Sequence, residues 1–133
     1  LITPVNEHFR QLAAQGVTVE DICREPMLLR EKGSGSKKCI NAYFQQMGVE
    51  ESRLTITARL NDQESIKNLV AGGLGVSIIS EKAAEDARDA GRLLTFVLPG
   101  DGAQRRLYAA CRRGAPVNRQ TRQFLDFVIG FYQ

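Results

Sequence analysis

The residues best suited to chemistry are Gly33-Ser34-Gly35-Ser36, a glycine–hydroxyl alternation between an apolar run, Met27 to Arg30, and a stretch of helical periodicity. A helix start presents backbone N–H groups that no helix carbonyl can reach, together with a partial positive charge, so it attracts anions. Glycines let a ligand approach the backbone, and two hydroxyls add adjustable hydrogen bonds. Lys32 or Lys37 could add charge. The plainer alternative is a turn in which Ser34 only caps the helix, and at this point both readings stand. Thr3 and Asn61 fall at the ends of other expected strands, where open α/β sheets place ligands. Thr3 could equally be a strand-end hydroxyl, and Asn61 fits better as an N-cap.

Other chemistries find little support. The Gly33 segment lacks the Gly-Lys-Ser/Thr of a phosphate-binding loop. Gly73-Leu-Gly75 follows a helix and precedes a strand, the reverse of a dinucleotide-binding turn. The single histidine, His8, lies beside Asn6 and Glu7 and is expected at the surface. No candidate nucleophile has a histidine near it in sequence, and acidic residues gather on one surface-like stretch, Glu81 to Asp89. An enzyme would need partners brought together from afar. Cys23, Cys39 and Cys111 are odd in number and form no Cys-x-x-Cys pair, so neither a zinc site nor another metal site is expected. They read as reduced thiols of a cytoplasmic protein, with Cys39 and Cys111 as packing residues.

The elements that must position these residues alternate between strand and helix. Thr18, three residues before Asp21, opens a short helix through Cys23 as a capping box would, and Pro26 ends it. Met27–Arg30 is a brief buried strand. From Gly35 to Met47, Cys39, Ile40, Tyr43, Phe44 and Met47 form one apolar stripe, and Gly48 stops the helix. Leu54–Leu60 alternates apolar and polar residues as a strand does. Asn61 or Asp62 then caps a helix carrying Ile66, Leu69 and Val70 inward. Gly72 and Gly73 end it, Val76–Ile79 forms a buried strand, and Ser80 offers a cap for Glu81–Ala90. Strands over Leu93–Leu98 and Arg106–Arg112 follow, separated by a Pro99–Gly102 turn. Asn118 caps a last helix with Phe124, Leu125, Val128, Ile129 and Tyr132 on its apolar face. Such alternation predicts an α/β fold with a mixed, mostly parallel sheet flanked by helices.

A chain of 133 residues with 43% hydrophobic and 25% charged content suits one globular domain with a real core. The net charge of +3 is mild, and the basic pairs Lys37-Lys38, Arg105-Arg106 and Arg112-Arg113 read first as solvated surface. The longest apolar run, Leu69 to Ile79, is too short to cross a bilayer, so no membrane contact is expected.

In order, the apolar segment Leu1-Ile-Thr-Pro4 running into a turn at His8, Val19 to Ile22 with Glu25-Pro26 and Met27–Arg30, Gly33-Ser-Gly-Ser-Lys37, and Leu69 to Ser80 with Arg106–Arg113 make a composite pattern. It resembles the effector-binding domain of LysR-type transcriptional regulators over essentially the whole chain. Two positions depart from the family: Ser80 stands where it commonly has Pro, and Phe9 follows His8 in place of Pro. The former leaves the fold unaffected; the latter touches only the first loop.

The resemblance implies a periplasmic-binding-protein-like (type 2), Rossmann-like lobe. Residues of about 5–97 would form the second lobe. Residues 1–4 and 104–133 would supply hinge strands and the C-terminal helix of the first, whose remainder, with a winged helix-turn-helix, lies outside this chain. The implied function is effector sensing without catalysis or cofactor: a small anionic metabolite between two lobes, homo-oligomeric assembly, and DNA contact only through the helix-turn-helix. Thr3, Gly33, Ser34, Gly35, Ser36, Asn61 and Gly75 are the candidate effector-binding residues. A transport solute-binding protein of the same two-lobe plan is the alternative, and a small α/β enzyme a more distant one.

Overall fold

The computed structural model describes residues 1–104, 108, 110 and 117–132. The strand expected over Arg106–Arg112 and the thiol of Cys111 lie outside the described residues.

Among the described residues there are four short strands: β1 (Ile2–Thr3), β2 (Met27–Arg30), β3 (Ile56–Leu60) and β4 (Leu94–Thr95). β2 and β3 pair in parallel, with Arg30 opposite Leu60 at their carboxyl ends. β1 and β4 pair antiparallel. Val76 and Ser77 stitch the two ladders together: Val76 bridges Met27 in parallel, and Ser77 bridges Ile2 antiparallel. Among the described residues the order is therefore β3, β2, Val76-Ser77, β1, β4, with β1 antiparallel to its neighbours. The strand expected over Val76–Ile79 is reduced to these two bridging residues, and that over Leu93–Leu98 to β4.

The described residues form six α-helices: α1 (Glu7–Gln15), α2 (Val19–Arg24), α3 (Gly35–Gln46), α4 (Gln63–Ala71), α5 (Glu81–Asp89) and α6 (Arg119–Tyr132), of which α1 to α5 contribute to the two cores. Successive strand residues face opposite sides, so β2 feeds two cores. Met27 and Leu29 pack with Phe9, Ile22, Ile40, Tyr43 and Phe44 from α1, α2 and α3. Leu28 packs on the other face with Ile66, Val70, Ala84 and Ala87 from α4 and α5. This is the mixed α/β sandwich expected from the alternation of elements.

Caps agree with local chemistry more closely than with position. Thr18 and Asp21 form the complete capping box of α2, and Asn118 accepts from the Thr121 N–H at 2.8 Å. Gly48 and Gly73 adopt the left-handed backbone that follows a helix end. Ser80 occupies the N-cap of α5 without a side-chain capping bond. α1 replaces the expected histidine turn. Its cap is Asn6, whose Oδ1 accepts from the Phe9 N–H at 3.0 Å, and Phe9 anchors it in the core. His8 is exposed on this helix, as expected, and its Nε2 lies 2.9 Å from Glu25 Oε1. On α6 the expected inward face is only partly so. Leu125 and Val128 are half-buried, whereas Phe124 and Ile129 are exposed.

Candidate functional site

The parallel register places two candidate segments side by side. Arg30 pairs with Leu60, and the Glu31 N–H donates to the Leu60 carbonyl at 3.0 Å. The turn Glu31–Ser34 and residue Asn61 therefore emerge together at the carboxyl edge of the sheet. The first α-helical bond of α3 runs from the Lys38 N–H to the Ser34 carbonyl at 3.1 Å, so the N–H groups of the preceding turn open onto that edge. Gly33 turns the chain there with φ of 95°, a left-handed conformation costly for any side chain, and Cβ space around it is open.

Ser34 occupies the N-cap of α3, yet its hydroxyl makes no capping bond. The Asn61 carboxamide is likewise spared. Asp62 is the cap of α4, accepting from the Ser65 N–H and hydroxyl, both at 2.7 Å. This corrects the expectation that Asn61 fits the cap. An ionised carboxylate makes the stronger charge-assisted bond and suits the positive end of the helix. Hydrogen bonds from Ser65 in turn hold the Asp62 carboxyl below the usual carboxylate range.

Thr3 and Gly75 are placed elsewhere. Because β1 runs antiparallel, Thr3 lies toward the amino ends of the parallel strands, fully buried, with its hydroxyl on the Pro4 carbonyl at 3.2 Å. The expected carboxyl-end position for Thr3 is thus corrected by strand direction. Gly75 precedes the Val76–Met27 bridge at the same amino edge. A Cβ there would stand 2.3 Å from the Pro26 carbonyl oxygen. Its requirement for glycine is a close backbone approach.

Charge at the carboxyl edge is internally paired. Lys37 turns away from the turn, buried, with its Nζ 3.0 Å from Glu51 Oε2 and 3.3 Å from Asn41 Oδ1. Glu51 also meets Arg59. Its carboxyl is held low chiefly by the Lys37 hydrogen bond. Lys32 remains exposed. At the end of β2, Arg30 and Glu31 form a two-bond pair at 3.0 and 3.1 Å, a feature that sequence reasoning passed over. This bond lowers the Glu31 carboxyl and raises the Arg30 guanidinium. Its signal was the basic–acidic doublet immediately before the glycine turn.

A cleft of about 610 Å³ runs along the same edge, lined by Leu1, Ser80, Lys82, Phe96, Asp101 and Gln104 among others. Gln104 links it to α3, because its carbonyl accepts from Cys39 Sγ at 3.4 Å. A separate hollow of about 470 Å³, lined by Asn41, Phe44, Gln45, Val49, Glu51 and Leu54, lies toward the other end of α3. Among the described residues, no group of three or more His, Cys, Asp or Glu side chains could hold a metal ion, and no helix is long and apolar enough to cross a membrane.

The sandwich and its edge define a type 2 periplasmic-binding-protein-like regulatory lobe. The family model for the LysR substrate binding domain matches residues 4–132, and the chain belongs to that family. It is similar to the HTH-type transcriptional regulator YeiE of Escherichia coli (strain K12), with 30% identity over 116 residues, covering 87% of this chain and 39% of the relative. The RuBisCO operon transcriptional regulator of Acidithiobacillus ferrooxidans shares 29% identity over 103 residues, 77% of this chain and 32% of that protein. Among solved structures, the Synechocystis PCC6803 CcmR regulatory domain in complex with 2-PG superposes with a TM-score of 0.79 at 24% identity. That match covers 98% of this chain and 60% of that domain. The chain thus spans well under half the length of these two regulators.

Proposed function

We propose that this chain is the larger part of a LysR-type effector-binding domain that senses a small anionic metabolite at the carboxyl edge of its sheet. The observation that carries the reading is the pairing of Arg30 with Leu60. It sets the α3 N-terminus beside Asn61 while neither Ser34 nor Asn61 is spent on capping. Backbone N–H groups, a hydroxyl and a carboxamide suit an oxyanion without requiring a counter-charge. The 2-phosphoglycolate complex of the CcmR domain supports a phosphate- or carboxylate-bearing ligand. Thr3 and Gly75, at the opposite edge, act through the fold in this reading; Gly33, Ser34, Gly35, Ser36 and Asn61 face the ligand.

In this reading residues of about 5–97 are the second lobe, and residues 1–4 and 104–133 are assigned to the first. The ligand lies between lobes, and closure alters the arrangement of subunits in a homo-oligomer. Such coupling is typically about 1–3 kcal/mol and needs only differential affinity for two arrangements. DNA contact belongs to a helix-turn-helix of the whole protein, and the domain itself performs no catalysis. The family membership favours this over a transport role for the same fold.

Thermal unfolding against small carboxylates, sulfur oxyanions and phosphates, 2-phosphoglycolate included, tests the reading. A ligand at a hundredfold its Kd should add about 2.7 kcal/mol of stability. Ser34→Ala and Asn61→Ala should each diminish the shift while leaving the unliganded Tm close to that of the parent. An undiminished shift in both variants would remove the site from this edge.

A further inference from the structure

Arg30 closes β2 at the carboxyl edge, opposite Leu60 and so beside the strand end that leads into Asn61. Consecutive strand residues point to opposite faces, yet its guanidinium meets the carboxylate of the very next residue. The chain turns at Glu31 to allow this, and the Glu31 carbonyl accepts from the Ser34 N–H at 3.4 Å. One bond runs from Arg30 Nε to Glu31 Oε2 at 3.0 Å, the other from Nη2 to Oε1 at 3.1 Å. That is the parallel fork with which arginine binds a carboxylate or a phosphate. The two side chains are 21% and 40% exposed, so water competes for both partners and the pair is held weakly. The other charges nearby are committed elsewhere. Asp62 attracts Arg30 only at longer range, its carboxylate accepting from Ser65, and Lys37 is buried against Glu51.

We propose that Arg30 is the counter-charge and specificity-determining residue of the edge site, and that Glu31 fills its fork as an internal competitor of the ligand's oxyanion. The proposal rests on the anion-binding reading above and adds a charged partner to it. An incoming carboxylate or phosphate that replaces Glu31 recovers the same two bonds, so the exchange by itself is nearly neutral. The gain comes from what Glu31 does not reach: the open N–H groups at the start of α3, the Ser34 hydroxyl and the Asn61 carboxamide. A ligand therefore needs two oxygens for the fork and further acceptors for the turn. Neutral compounds and those with a single acceptor leave Glu31 in place. The distinctive consequence is one of sign. Removing the Glu31 carboxylate tightens anion binding, whereas removing a group that holds the ligand weakens it.

Titration of the 133-residue chain with inorganic phosphate at constant ionic strength, followed by the Arg30 Nε–H and the Ser34–Lys38 amide resonances, tests this. Glu31→Gln should lower the Kd by about fivefold, the scale of an exposed ion pair. Arg30→Gln should weaken binding, and Arg30→Lys, which keeps the charge without the fork, should not restore it. The Glu31→Gln gain should vanish when Arg30 is also changed to Gln. A Kd unchanged or raised by Glu31→Gln, or a gain that persists in the double variant, would overturn the proposal. Ser34→Ala separates this outcome from failure of the underlying reading. Binding weakened by Ser34→Ala but indifferent to Glu31→Gln and Arg30→Gln keeps the edge site and removes Arg30 from it. No phosphate response in the parent or in Glu31→Gln removes both.

Discussion

At Gly75 the backbone is drawn against Pro26, whose carbonyl accepts from the Val76 N–H at 2.8 Å. With φ of 151° and a Cβ that would clash with that carbonyl, Gly75→Ala combines backbone strain with overpacking. We expect a loss of roughly 3 kcal/mol in urea unfolding. The effect should fall on stability and leave the affinity of the surviving folded protein unchanged, since Gly75 lies at the edge away from Ser34. Asp62 makes a complementary case. Its carboxyl is held low by Ser65, so its capping contribution is present above the ordinary carboxylate range and lost as pH falls through the lowered value. Asp62→Asn should retain the cap and flatten that acid dependence, whereas Asp62→Ala should lower Tm at neutral pH. Circular-dichroism melts from pH 3 to 7 separate the outcomes.

Between elements, α4 and α5 are joined by Lys67, 2% exposed, whose Nζ meets both Asp86 oxygens at 2.8 and 2.9 Å and Glu64 at 2.8 Å. Burial pulls the ammonium pKa down, but the hydrogen bonds to Asp86 and Glu64 outweigh it, and the net direction is upward. The Lys67 bond holds Asp86 low. The signs define a window. The clamp weakens below the carboxylate range, as Asp86 protonates through its lowered pKa. It weakens again above the lysine range, as Lys67 loses its proton through its raised one. Lys67→Ala removes the packed stem as well as the charge and should cost about 1–3 kcal/mol at pH 7. Lys67→Met, which keeps the stem, should cost less and abolish the acid limb attributable to Asp86. On α2, Thr18→Ala breaks the capping box and should cost about 1 kcal/mol by the same measurement.

At the scale of the molecule, β2 is the shared wall of both cores, so truncation there is felt on one face or the other. Leu28, fully buried against α4 and α5, should lose about 2–5 kcal/mol on Leu28→Ala. Phe127 on α6 is 69% exposed, and Phe127→Ser in this chain should change stability by less than about 0.5 kcal/mol. Equal losses at both positions would contradict the division between a buried wall and an exposed helix face.

Much of this was legible residue by residue. Period-3.6 stripes marked α3 and α4, alternation marked β3, and Thr18 with Asp21 marked the start of α2, because these patterns depend on neighbours a few positions away. The turn from Gly33 to Ser36 was legible for the same reason. Helix α1 was missed because its nine residues carry only Phe9 and Leu12 as an apolar stripe, too little to outweigh the reading of a turn at His8. Strand direction is a different matter. Whether Thr3 lies at the carboxyl edge depends on Ile2 meeting Ser77 antiparallel, a contact between residues far apart in the chain that no local pattern encodes. So too with Lys37, whose charge was counted toward the turn until Glu51 claimed it, and with Asn61, released when Asp62 took the cap. Local residue patterns marked most of the helices and strands and the glycine turn before α3. Long-range pairing alone decided which of the candidate side chains share an edge, because the sheet assembles strands by burial on its two faces and not by their order in the chain.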